Sequence, residues 1–460
     1  MKEFYDFFQN EELYPDLDVE GAVQRLSRAV QFKTVSDNPD AQPFFDLHEH
    51  IKASFPHIMQ AGTFEAVGRS VLITVKGTDE GLKPALFMSH IDVVPVVAGT
   101  EADWTHDAYS GHVDGTFIWG RGTQDIKVQV FGELEALEYL LAHGEKPQRT
   151  VYLAFGQDEE TFNTGAQAIS DLLKSRGITL EFLVDEGGGG ISKGSIFGAP
   201  ETDISNVCLM EKGYADLKLT VESKGGHSSR PFGGTSLERL ARAITKICDD
   251  PFPPQLSGTL KATFRALQPY VTEEPLKTLL QDIDGNEEKL ADYCLHDEHL
   301  FPLVITTIAP TMIEGSSAAP NVMPQNMSAV INFRLAAGYD PEKLMAHCRK
   351  AVDDDSVKME FLQANASSAE ARSDGYGYAK LVESMSHFYT GLVFVPAITV
   401  GGTDAHCYEQ ICDTCLRCGP MMSPEDESAA HGTDEKIRIR AFAQGIRTLI
   451  HLMENTCIHP

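Results

Sequence analysis

Nothing in this sequence stays apolar for the roughly 18 residues that a membrane-spanning helix needs, and residues 1–16 carry acidic side chains where a signal peptide would carry an apolar core. The expectation is a soluble, cytoplasmic protein with no membrane partner. Basic residues are scarce: 38 Lys and Arg face 67 Asp and Glu, a formal charge of -29. Such a surface repels phosphate backbones and anionic lipid alike, which excludes nucleic acid as a natural partner. A disulfide framework is lacking too, because nine cysteines are an odd number, spread without framework spacing over a long chain. Internal repeats and low-complexity tracts are absent. What is present is length and apolar content: 460 residues at 42% hydrophobic exceed the roughly 250 to 300 at which single cores stop growing, so two domains are expected.

From residue 84 to 186 short apolar runs (85–88, 151–155 and 182–184) alternate with helical patterns (128–143 and 165–177), as repeating β-α-β units around a largely parallel sheet require. His90 and several carboxylates fall just past these runs. Ligands bind beyond the carboxyl ends of strands in open parallel sheets, so this placement already suggests chemistry. A second pattern begins near Glu211, with strand-like 217–221, helical 236–248, strand-like 304–309 and 329–333, helical 341–352 and strand-like 357–362. That β-α-β-β-α-β order is the split arrangement of a ferredoxin-like domain, here with a polar insertion around 251–300 whose role is not readable. Segments 378–388, 392–399 and 436–453 resume the first pattern. The expected fold is therefore α/β, a mostly parallel sheet flanked by helices, interrupted by a ferredoxin-like α+β domain. The boundaries are 1–210 and 367–460 for the first domain and 211–366 for the second.

Five short segments could hold metal. His90 and Asp92 follow a strand as His-x-Asp: an imidazole can ligate zinc while a carboxylate fixes its tautomer. As an isolated pair it is an ordinary polar loop. The glycine-rich 120–127 segment reads blandly as a turn whose Asp125 caps the next helix; its spacing matches neither common phosphate-binding fingerprint. Asp158, Glu159 and Glu160 crowd a strand end, where repulsion must be relieved by solvent, by a cation or by a raised pKa. Asp185 and Glu186 precede four glycines, and His431 stands near the carboxyl terminus. Together these supply a mixed nitrogen and oxygen donor set suited to zinc or a related divalent ion in an open catalytic site.

In order and wording these motifs resemble the dizinc peptidase and aminoacylase family, most closely its carboxypeptidase S branch. The likeness spans nearly the whole chain. It implies a zinc-peptidase catalytic domain and an inserted lid or dimerisation domain, with two zinc ions per chain, replaceable by cobalt or manganese. His90 and Asp185 would hold one ion, Glu160 and His431 the other, and Asp125 would bridge them. Glu186 is the alternative to Asp185, since branches of the family differ in register there. The resemblance makes Glu159 the general base and Asp92 the partner that orients His90. His227, in Gly225-Gly226-His227, would donate to the oxyanion from a partner subunit's small domain or from an equivalent surface in monomeric relatives. Arg334, with Asn321 beside it, would bind the substrate's carboxylate; without the motif these residues read as a turn histidine and a solvated arginine.

The chain departs from the family at Ile126 and Val128, where packing and not metal binding is expected to change. It departs again at Ala405-His406, where the related branch has serine and arginine, which leaves substrate identity open; His406 reads as a surface residue first and as an additional polar contact second. Cys412, Cys415 and Cys418 lack a fourth ligand and read as buried free thiols. The implied activity is hydrolysis of an amide bond next to a free carboxylate, in a dipeptide, at the carboxyl end of a short peptide, or in an N-acyl amino acid. Peptidase is the first expectation and aminoacylase the second. A metal-binding protein that has lost catalysis, a scaffold built on the ferredoxin-like domain and a homodimer through that domain remain open readings.

Overall fold

The computed structural model describes residues 3–424 and 427–460. Its largest sheet follows the path Thr63–Val67, Ser70–Val75, Val151–Gly156, Ala85–His90, Phe182–Asp185, Cys415–Arg417, Ala199–Glu211 and Val393–Thr399, with Ile191–Gly194 added beside Ala199–Glu211. Four central strands, from Val151–Gly156 to Cys415–Arg417, run parallel. An antiparallel hairpin closes one flank, and Ala199–Glu211 reverses direction on the other. Val71, Phe87, Leu153, Phe155 and Val184 on one face and Leu72, Leu86 and Leu183 on the other are all 0% exposed, so the centre is covered on both faces. The helices Lys127–Ala142 and Ile439–Met453 pack together over it, sharing one core with Phe131, Leu134, Phe442 and Leu449. Each fully buried side chain of this size contributes roughly 1.5–3 kcal/mol.

The chain leaves this sheet at Glu211 and enters a second one at Gly213. Thr307–Glu314, Asn326–Leu335, Gly213–Glu222 and Val357–Asn365 lie side by side, all antiparallel, with helices Ser236–Asp249 and Pro341–Val352 on one face. Alternation explains that face. In Gly213–Glu222 the residues Ala215, Leu217, Leu219 and Val221 are buried, while the intervening ones are not. This is the ferredoxin-like order read from the sequence.

The segment read as a polar insertion turns out to carry an apolar stripe. Its helix Gly258–Leu267 buries Leu260, Phe264 and Leu267 against Val395 of the large sheet's last strand and against Ile204. Thr263 Oγ1 donates to the Pro396 carbonyl at 2.6 Å, and Gln255 Nε2 donates to Ala337 O, beside the second sheet, at 2.6 Å. The insertion thus braces one sheet against the other. A second difference lies near the carboxyl terminus, where residues read as one helix split into a strand, Lys436–Arg438, and the helix Ile439–Met453. The strand pairs with Phe117–Trp119 and brings the His431 loop beside the turn that carries Asp125. Among the described residues no helix is long and apolar enough to cross a membrane.

Candidate metal centre

His90 ends its strand, and the loops after the two neighbouring parallel strands bring Glu159, Glu160 and Glu186 to the same edge. Two groups of metal-capable side chains meet there. His90, Asp125 and Glu186 each offer an atom within 4.8 Å of the others, and so do Asp125, Glu160 and His431. Asp125 belongs to both. Its Oδ1 is 3.1 Å from His90 Nε2, and its Oδ2 is 3.0 Å from His431 Nε2. Glu186 Oε1 stands 3.1 Å from His90 Nε2, and Glu160 Oε2 is 3.0 Å from His431 Nε2.

Both groups leave out Asp185, the first choice of the sequence reading, and one includes Glu186, its alternative. Successive side chains on extended backbone point to opposite sides. Asp185 accordingly turns inward, 1% exposed, its Oδ1 accepting from Glu186 N at 2.8 Å, and Glu186 faces His90 instead. The reading of Asp125 as a helix cap is also overturned, because the helix Lys127–Ala142 begins after Ile126 without a side-chain cap. His406 is not a free surface residue, since its Nδ1 lies 3.2 Å from Glu211 Oε1 within a buried network that includes Arg417.

The supporting contacts explain the placement. His90 Nδ1 is 3.1 Å from the Asp92 carbonyl and 3.3 Å from Asp92 Oδ1, so Nε2 is left to face the cluster. The Asp92 carboxylate accepts from the backbone of Glu159 (3.2 Å) and Glu160 (3.3 Å) and from Ser36 Oγ (2.5 Å). Asp158 turns away from the cluster to staple its own loop: it accepts from Gly165 N at 2.8 Å and from the Thr164 hydroxyl. Asn163 Nδ2 ties that loop to Asp404 Oδ1 at 2.9 Å. Gly156 permits the approach, since a Cβ there would stand 2.1 Å from Asp404 Oδ2. Sequence reasoning gave no role to Asp404, Ser36 or Glu435.

The electrostatics are those of crowded acids. Burial pushes the Glu159 carboxyl well above its usual range, with the charges of Glu186, Asp404 and Glu160 adding to the effect against that of His90. Burial and then Asp125 lift Glu160 to about 7. Burial raises Glu186 as well, whereas hydrogen bonds from His431 and His90 overcome burial and hold Asp125 below its usual range. Each group supplies one imidazole nitrogen and two carboxylates, with Asp125 presenting one oxygen to each side. That donor set suits divalent cations, whose charge would relieve the crowding, and three protein donors in a group would leave an ion held there an open position.

A cavity of about 190 Å³ reaches the cluster past Asp125 and Glu186. It shares Gln124, Val128, Met421 and Ala430 with a larger one of about 600 Å³, lined also by Ile191, Pro424 and Ile437. Among the described residues no charged side chain lines the larger cavity. The remaining candidates stand apart. His227 and Asn321 are neighbours on the inserted unit, where Ser228 N donates to Asn321 O at 3.0 Å, and Arg334 lies on Asn326–Leu335 with its guanidinium 4.8 Å from the Tyr214 ring. Among the described residues no hydrogen bond or ion pair joins these three to the cluster.

The profile of Peptidase family M20/M25/M40 matches residues 86–455. A probable carboxypeptidase S-like protein of Dictyostelium discoideum is 34% identical over 453 residues, covering 95% of this chain and 85% of its own length. An N-fatty-acyl-amino acid synthase/hydrolase of Mus musculus is 31% identical over 444 residues, covering 94% and 87%. Among solved structures, an M20 family metallo-carboxypeptidase from Sulfolobus solfataricus superposes with a TM-score of 0.69 at 19% identity, covering 94% of this chain and 98% of that one. Human carnosine dipeptidase 1 gives 0.62 at 17%, covering 96% and 97%. These likenesses carry the fold of a catalytic domain with an inserted domain. The chain belongs to peptidase family M20/M25/M40 and is a hydrolase of peptide or amide bonds.

Proposed function

We propose that the chain uses two divalent ions, zinc first and cobalt or manganese as substitutes, to hydrolyse the amide bond of an N-acyl amino acid or short peptide next to a free carboxylate. His90, Asp125 and Glu186 would hold one ion, and Asp125, Glu160 and His431 the other. Bound there, the ions would supply Lewis acidity toward the scissile carbonyl and make a water a strong nucleophile near neutral pH. Glu159 is the general base: it stands beside a ligand on a loop fixed by Asp92, takes the proton of the attacking water and passes it to the departing amine. His227 donates to the oxyanion. Its Nδ1 accepts from Ser229 N at 3.1 Å, which leaves the proton on Nε2. Arg334 binds the substrate's carboxylate; Asn321, which lies with His227 toward the other end of the second sheet, is the weaker candidate for that task. No carboxylate lies within 4.0 Å of Arg334 among the described residues, so its guanidinium is free to take a carboxylate in bidentate fashion.

The observation that carries the reading is the double triad sharing Asp125. Val128, Ile191, Met421 and Ile437 in the lining of the larger cavity support an apolar acyl group there, so N-acyl amino acids become the preferred substrates, and dipeptides or short peptides, the first expectation from the sequence, the second reading. The test is a set of N-acyl amino acids paired with the same compounds amidated at the carboxyl end. Cleavage confined to the free acids supports the reading. Equal cleavage of the amides removes Arg334 from its role, and cleavage of free dipeptides alone moves the assignment to dipeptidase.

We further assign residues 1–210 and 367–460 to the catalytic domain and 211–366 to the inserted one. A second copy could bring His227 to the site, and the outer strand Thr307–Glu314 supports this, with Met312 and Ile313 exposed on an unpaired edge. Sedimentation equilibrium tests it: a fully active monomer would exclude a partner's contribution. Nine unpaired cysteines support a reducing, cytoplasmic setting.

A further inference from the structure

Glu435 is 0% exposed and lies in the same segment as His431. Its Oε1 accepts from three backbone N–H groups, those of Gly122 at 2.9 Å, Gln124 at 2.7 Å and Asp125 at 3.2 Å. Its Oε2 accepts from Arg121 Nη1 at 2.6 Å, and the same guanidinium donates from Nη2 to the His431 carbonyl at 3.3 Å. The Gly120 amide returns the connection by donating to Glu435 O at 2.8 Å. One buried carboxylate therefore closes a ring between the turn that carries Asp125 and the loop that carries His431. That loop is under conformational demand, since His431 has a φ of 61°, a left-handed conformation that a non-glycine residue keeps only when its surroundings fix it. Arg121 is held in turn, 2% exposed, with its guanidinium 5.4 Å from the Trp104 ring.

The two triads differ in what holds them. His90 and Glu186 sit at the ends of paired sheet strands, whereas His431 and the backbone of Asp125 depend on loops that Glu435 joins. We infer that Glu435, acting with Arg121, is a positioning residue that sets chiefly how tightly the Asp125, Glu160 and His431 triad holds its ion, and reaches the triad of His90, Asp125 and Glu186 only through the shared Asp125. The inference rests on the two-ion reading of the centre proposed above. Glu435 acts on the His431 half through both the His431 loop and Asp125 but on the His90 half through Asp125 alone, so the two ions are retained with unequal sensitivity to changes in the carboxyl-terminal loop.

Cobalt titrated into the metal-free protein, followed by visible absorption and by metal content after dialysis, tests this. The wild type takes two equivalents; fewer than two overturns the centre and the inference together. Glu435→Gln takes the second equivalent about 10–100-fold more weakly, the usual effect of losing such a supporting contact, and the first with a clearly smaller loss. Adding Glu435→Gln to His431→Ala weakens binding by less than Glu435→Gln alone does, because both act chiefly on one site. Arg121→Gln, which leaves the three backbone acceptor bonds in place, shows the same selective loss in smaller degree and serves if Glu435→Gln does not fold. Equal weakening of both equivalents, or two equivalents at wild-type affinity in both variants, overturns the inference while leaving the two-ion reading standing.

Discussion

Glu159 and Glu160 are neighbours on one loop, both steadied through their backbone by Asp92, and yet only Glu160 reaches an imidazole of the cluster. That difference separates a ligand from a base. Glu159→Gln should retain both ions and lose turnover by about 10²–10⁴-fold, the usual contribution of general base catalysis. Metal content and kcat measured on one preparation check it, and an unchanged kcat would remove Glu159 from the mechanism. Asp185 and Glu186 make the complementary pair. Glu186→Gln should weaken one ion, while Asp185→Asn should keep both; dialysis against metal-free buffer reads the difference, and the opposite pattern would restore Asp185 as ligand. The sequence placed both acids at a strand end but could not say which faced the cluster. That choice depends on the phase of the pleat, which the strand's pairing with Ala85–His90 fixes and no local pattern reports. Glu435 was hidden for a related reason, since a buried carboxylate that accepts backbone N–H groups has no sequence spacing of its own.

At the scale of elements, the periodicities located the central parallel strands and the helices between them to within a few residues, but did not pick out the buried strands Ser70–Val75 and Ala199–Glu211 or the helix Val19–Val30. They failed where composition masked a narrow apolar stripe, as in Gly258–Leu267, or where a ladder was formed from distant chain, as in Lys436–Arg438 with Phe117–Trp119. The brace made by the insertion includes a buried cation. Lys212, 3% exposed between the two sheets, donates from Nζ to the carbonyls of Pro302 and Ile305, each at 2.7 Å. Burial, with a smaller push from Arg334, lowers its ammonium to about 7. From pH 7 up to roughly 10 the unfolded chain keeps a proton that the folded chain has released, so the contribution of Lys212 to stability rises with pH across that window and is flat below it. The gain reaches about 1.4 kcal/mol per pH unit at most. Urea unfolding at pH 7, 8 and 9 should therefore show the wild type gaining stability relative to Lys212→Met, and parallel profiles would show that Lys212 stays protonated throughout.

For the molecule as a whole, the order of patterns along the sequence was enough to foresee an α/β sheet interrupted by a ferredoxin-like unit, because His90, Glu159, Glu160 and Glu186 each come soon after an apolar run that forms a buried strand, while Asp125 and His431 stand on loops. How the inserted unit addresses the centre was not legible. His227, Arg334 and Asn321 lie on the inserted unit and make no bond to the cluster among the described residues, so their roles depend on closure or on a second copy. The net charge of -29 adds a further demand, since an anionic substrate approaches against that field and needs locally concentrated positive charge to be held. The central claim is that the paired triads around Asp125 bind the ions on which amide hydrolysis depends. Its most direct test is release of free amino acid from an N-acyl amino acid by the protein before chelation, after removal of metal, and during stepwise return of zinc, with bound zinc measured at each step. The account predicts that release is abolished in the metal-free protein and returns as the chain fills toward two ions. Full release from metal-free protein would contradict it.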